Sequence, residues 1–173
     1  MSIAQSLLPE FEYEMANTRK TLERVPEDKL EYKPDPRSMP LGRLAGHIAE
    51  MVNWGAVTLQ TESLNLDGGD FKPFAPSTRQ ELLAEFDKNV AAARSELEKA
   101  TDPQMMQTWS LIFGGKPMMS MPRVAVIRSM VLNHIIHHRA QLTVYFRVNG
   151  VPVPALYGPS ADEGMPAATA AEM

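Results

Sequence analysis

The chain contains no cysteine among its 173 residues. Disulfides, thiolate metal sites and a protein thiol nucleophile are thereby excluded, and the absence fits a reducing compartment. The start lacks positive charge. MSIAQSLLPEFEYEM carries three glutamates and no lysine or arginine, whereas a secretory leader needs a basic stretch followed by an uninterrupted apolar one. No apolar run approaches the roughly 20 residues of a membrane span. The expectation is a soluble, cytoplasmic protein with no membrane partner. The net charge is −4, a sign that repels phosphate backbones, so no nucleic-acid partner is expected.

What is present is an ordinary globular composition, 44% hydrophobic and 22% charged, at a length that suits one domain. No internal repeat is found. Four segments show helical spacing. The first spans about Ile3 to Val25, with Ile3, Leu7, Phe11, Met15 and Leu22 on one face. Pro9 falls in its first turns, where a missing N–H costs little. Val25-Pro26 stops it. A proline-rich connection, EDKLEYKPDPRSMP, leads to a second helix over about Leu41 to Glu62. There Leu44, His47, Met51, Trp54 and Thr58 share a face. Residues 63–76 read as a loop. Ser77-x-x-Gln80 and Thr78-x-x-Glu81 are overlapping capping boxes that open a third helix, which runs to about Ala100 through Leu82, Phe86, Val90, Ala93 and Leu97.

Residues 107–121 differ. Two short apolar arms flank Gly114-Gly115-Lys116, a hairpin-like excursion. Those glycines lack Walker spacing and read as a turn rather than a phosphate loop. The fourth helix spans about Pro122 to Asn149, with Gly150 as its stop. An extended VPVPALYGPS follows, then a small, acidic stretch from Ala161. The expected organisation is an all-α four-helix-bundle domain over residues 1–160 and a flexible tail over 161–173.

The chain has four histidines, His47, His134, His137 and His138. A helix turns about 100° per residue, so His134 and His138 lie one turn apart on one face. Ile127, Met130, Gln141 and Tyr145 fall near the same inward stripe, and Arg139 falls off it as a solvent-side or capping candidate. Two imidazoles so placed can each offer a lone pair to one cation, and zinc, nickel, iron and copper suit neutral imidazole. A third ligand must come from a facing helix, and His47 shares its face with Leu44, Met51 and Trp54. The competing reading is surface decoration, or core histidines bonded to backbone or carboxylates. Helical geometry also leaves His134 with His137 open as the pair.

The segments EDKLEYKPDPRSMPLGRLAGHIAEM and TWSLIFGGKPMMSMPRVAVIRSMVLNHIIHHRAQLTVYFRVNGVPVPALYGPSADE resemble the DinB/YfiT-like family of proposed metalloenzymes, which is unrelated to the DNA polymerase sharing the name. The match spans roughly residues 5–163. Its signatures are a helix-two histidine in a Leu-x-x-His-Ile context (Leu44 to Ile48) and NHxxHHRxQL (Asn133 to Leu142). The resemblance implies an up-down-down-up four-helix bundle with a metal on His47, His134 and His138, which removes His137. Ala140 stands where the family often has glycine, a small-for-small change. Some relatives resemble transferases or isomerases that use a low-molecular-weight thiol, and several are homodimers.

Three neutral histidines leave the full charge on a divalent ion and a coordination position open, the pattern of catalytic rather than structural zinc sites. The expected reading is a metal-dependent enzyme, a thiol-dependent transferase or a hydrolase acting on a small electrophile, with zinc or nickel bound. Without cysteine, any sulfur nucleophile comes as a cosubstrate. The competing class is a noncatalytic, stress-associated metal-binding protein. No catalytic residue is assigned. Glu50, three residues after His47, is weighed as an orienting group or base against a solvated glutamate. Trp54 and Tyr145 are weighed as pocket walls against core packing. Arg43 and Arg123 are weighed as anion attractors against plain surface residues. The twelve methionines are read as gap-filling core and loop residues.

Overall fold

Local sequence accounts for where the helices begin. In the computed structural model, which describes residues 1–67 and 72–164, Ser2 caps α1 (Ile3–Leu22) through a reciprocal box with Gln5. Pro9 sits in the second turn of this helix, so the carbonyl four residues before it loses its helical donor. Thr78 caps α4 (Arg79–Lys99) by accepting the Glu81 amide. Glu81 returns its carboxylate to the amide of Ser77, so the two overlapping boxes merge into one.

The remaining elements are α2 (Leu41–Met51), α3 (Asn53–Gln60), β1 (Ser63–Asn65), α5 (Asp102–Met106), β2 (Thr108–Phe113), β3 (Lys116–Pro122), α6 (Arg123–Val126) and α7 (His134–Val148), with a short 3-10 helix over Glu27–Lys29 and a π-helical stretch over Ile127–Asn133. The molecule is mostly helical. α1 packs on α4 and α7, and α2 packs on the same two helices. The core between them includes Phe11, Met15, Leu44, Ile48, Phe86, Leu97, Leu142 and Phe146. No helix among the described residues is long and apolar enough to cross a membrane.

Two long helices expected from spacing are subdivided. The segment after Leu41 breaks at Val52, where the Gly55 amide bonds back only three residues, to the Val52 carbonyl. The last long segment carries a π-helical stretch over Ile127–Asn133. Wider turns shift the phase between the residues on either side. Met130, placed by simple periodicity beside His134, packs instead on a second, smaller core of Trp109, Leu111 and Val126.

That smaller core lies under a three-stranded sheet of order β1-β2-β3. The all-α expectation is corrected here. The β2–β3 hairpin matches the excursion foreseen at 107–121, and Gly114 and Gly115 turn it with φ of 61° and 67°, angles that glycine adopts without steric cost. The parallel strand β1 was not foreseen, because three residues inside a Gly- and Pro-marked loop are too few to show alternation.

The domain also continues past residue 160. Asp162 accepts from Arg147 and from the Val153 amide. Glu163 accepts from Lys20, Arg24 and the Ala155 amide. Composition hid these anchors, because acidic residues among small ones read as solvated. The rest of the expected tail, 165–173, lies outside the described residues.

Candidate metal centre

α2 contributes His47, and α7 contributes His134 and His138. The ligand-type atoms of these three side chains all lie within 4.8 Å of one another. Their Nε2 atoms face inward: His47 to His134 is 3.4 Å, and His134 to His138 is 2.8 Å. Nitrogens about 2.0–2.1 Å from a tetrahedral zinc would stand ~3.3 Å apart, a value those separations bracket. His137 is exposed. Its ring rests on that of His138, 4.9 Å between centroids, and it is not part of the group.

The outer nitrogens fix the protonation pattern. His47 Nδ1–H donates to Glu50 Oε1 at 3.0 Å, and His138 Nδ1–H donates to Gln141 Oε1 at 3.0 Å. In the neutral form of each ring that bond leaves a bare Nε2 lone pair toward His134. A proton on His134 Nε2 serves only one of those two neighbours, whereas a cation serves all three. The residues present thus fit a divalent ion, and the donor set could hold one.

Burial, followed by the neighbouring imidazoles, pushes His134 down to about 4. Burial also lowers His138, against its bond to Gln141. Both rings are accordingly neutral at pH 7, the state that ligation requires. Burial raises the Glu50 carboxyl, but bonds from His47, the Phe74 amide and Arg43 outweigh it and hold the group below its ordinary value.

Glu50 is thus a bonded, half-buried carboxylate rather than a solvated one. Arg43 is neither a free anion attractor nor a surface group, since its guanidinium donates to Glu50 at 2.7 Å. Arg123 is buried and donates to the carbonyls of Thr58 and Thr61, both at 2.8 Å, closing the end of α3. Tyr145 is buried, donates to the Met39 carbonyl and meets Tyr32 edge-on, so it packs core. Trp54 lies 6.4 Å from Trp109, centroid to centroid, in the small core.

Arg139 overturns its expected solvent placement. It is buried, 2.7 Å from Glu14 on α1, and it also donates to Thr18 Oγ1 and the Glu14 carbonyl. Sequence reading also passed over Gln141 as a bonding group. Its signal is the spacing itself, since Gln141 follows His138 by three residues just as Glu50 follows His47.

The model of the DinB superfamily matches residues 10–142, most of the chain. The chain belongs to the DinB superfamily. The uncharacterized protein YrdA of Bacillus subtilis strain 168 is 25% identical over 156 residues, covering 90% of this chain and 89% of that protein. The crystal structure of a DinB-like protein from Bacillus cereus ATCC 10987 has a TM-score of 0.68 at 26% identity, covering 88% of this chain and 97% of that one. A second DinB-like protein, YjoA from Bacillus subtilis, has a TM-score of 0.65 at 22% identity, with 86% and 96% covered, and speaks to the fold alone.

Proposed function

We propose that this DinB protein is a divalent-metal-dependent enzyme, a thiol-dependent transferase or a hydrolase acting on a small electrophile, built on an up-down-down-up four-helix frame. His47, His134 and His138 hold the ion, with zinc or nickel as the occupant. The observation that carries the reading is the convergence of three Nε2 atoms with no carboxylate of the described residues in the group. A structural zinc site is closed by a fourth protein ligand, and three ligands leave a position for water or substrate. A divalent ion there supplies a Lewis acid able to ionise a water or a thiol near neutral pH. The chain's own part is to keep His134 and His138 neutral through burial, and to aim the His47 and His138 rings through Glu50 and Gln141. The chain has no cysteine, so a sulfur nucleophile enters as a low-molecular-weight thiol.

The experiment is a screen of zinc- or nickel-loaded protein against small electrophiles, with and without glutathione, bacillithiol and mycothiol. Turnover that needs both metal and thiol identifies a transferase, and metal-dependent turnover in water alone identifies a hydrolase. Metal that only raises the melting temperature, without turnover, supports the noncatalytic, stress-associated reading instead. Homodimerisation belongs to the same proposal. Val144 and Val148, one turn apart on α7, remain 61% and 62% exposed, a face that a second copy would cover.

A further inference from the structure

His138 is backed by a neutral amide on its own helix. His47 is backed differently. Glu50 Oε1 accepts from His47 Nδ1–H at 3.0 Å and from Arg43 at 2.7 Å, while Oε2 accepts the Phe74 amide at 2.9 Å. One carboxylate therefore joins the α2 ligand to the loop that precedes α4. The loop can come this close because residue 46 is glycine. A Cβ there would stand 2.3 Å from the Phe74 carbonyl oxygen and 2.9 Å from Pro76 Cδ. Arg43 adds a second tie to the loop, reaching the Phe74 carbonyl at 3.4 Å.

We propose that Glu50 is the positioning residue of the centre and that it couples ion occupancy to the order of the loop over residues 72–76. The proposal rests on the three-histidine reading above. An ion on Nε2 requires the Nδ1–H form of His47, and that form requires an acceptor beyond the ring. Glu50 supplies it, and the Phe74 amide and Arg43 hold Glu50 in place. By linkage, ion binding protects the Phe74 amide, and loosening the loop weakens the ion to the same degree. Loss of such an outer partner weakens metal binding about 10–100-fold.

The test is zinc affinity, measured by competition with a chelating dye, for wild type, Glu50→Gln, Glu50→Ala and Gly46→Ala. Amide exchange at Phe74 is followed with and without zinc, and ¹⁵N shifts report the His47 tautomer. Glu50→Ala is expected to bind about 10–100-fold more weakly and to lose the Nδ1–H preference of His47. Glu50→Gln falls between, since its amide oxygen still accepts from Nδ1–H. Gly46→Ala weakens zinc although residue 46 supplies no ligand atom. Zinc slows Phe74 exchange in wild type and not in Glu50→Ala. If Gly46→Ala does not fold, the near-isosteric Glu50→Gln carries the comparison. Wild-type affinity in both Glu50 variants, or Phe74 exchange indifferent to zinc in wild type, overturns the proposal while leaving the three-histidine reading standing. Wild-type protein that binds no zinc or nickel overturns both.

Discussion

His138 and Arg139 are consecutive, and the roughly 100° between them directs one toward α2 and the other toward α1. The Arg139 and Glu14 side chains are only 2% and 7% exposed, with Thr18 and Tyr157 completing the bonds around them. Removing one member of such a pair strands a buried charge, at about 3–5 kcal/mol, whereas replacing both with apolar residues avoids that penalty. Arg139→Ala and Glu14→Ala are each expected to lose about that much in urea unfolding. Arg139→Met combined with Glu14→Leu should lose less than either single variant. A double variant as unstable as the two singles summed would contradict this. The sequence carries the sign of the burial. Ile135, Arg139, Leu142 and Phe146 follow helical spacing, and the other three are apolar. Measured only against the histidine stripe, Arg139 looks solvent-facing; measured against its own, it is a core position. Glu50 differs, because its partners Arg43 and Phe74 come together only when the loop lies over Gly46, and no local spacing encodes that approach.

The C-terminal segment after α7 packs Val151 and Val153 on the core, and polar ties to α1 add to that hold. Tyr13 donates to the Leu156 carbonyl, Lys20 to the Ala155 carbonyl and Arg24 to the Pro152 carbonyl. The Ala155 amide, followed by Lys20 and Arg24, holds the Glu163 carboxyl at about 2, against an ordinary 4.5. A carboxyl depressed by folding stabilises the native state above its unfolded value, and that contribution is lost as pH falls through the folded value. Glu163→Gln should therefore be less stable than wild type at pH 7. The gap should shrink between pH 4.5 and 2 and vanish below. Equal stabilities at pH 7, or a gap that widens in acid, would contradict the anchoring role. Periodicity and caps made α1 and α4 legible to within a few residues. The π stretch, the break at Val52 and strand β1 were not legible. Each arises where tertiary packing overrides a local pattern, or where three residues are too few to form one.

At the scale of the whole molecule, the four histidines and the family signature pointed to the site, and the fold brings His47 to the α7 pair across 87 residues of sequence. Pairing of two copies through the exposed valines of α7 is expected to show as a dimer in sedimentation at micromolar concentration. Val144→Lys should shift it toward monomer, and wild-type protein that sediments only as a monomer would remove the claim. The central claim is the three-histidine centre, and metal analysis of purified protein tests it most directly. Wild type should carry about one divalent ion per chain, the capacity of one three-histidine group. His47→Ala, His134→Ala and His138→Ala should each lose the ion, while His137→Ala keeps it. Full metal content in all three ligand variants would contradict the account.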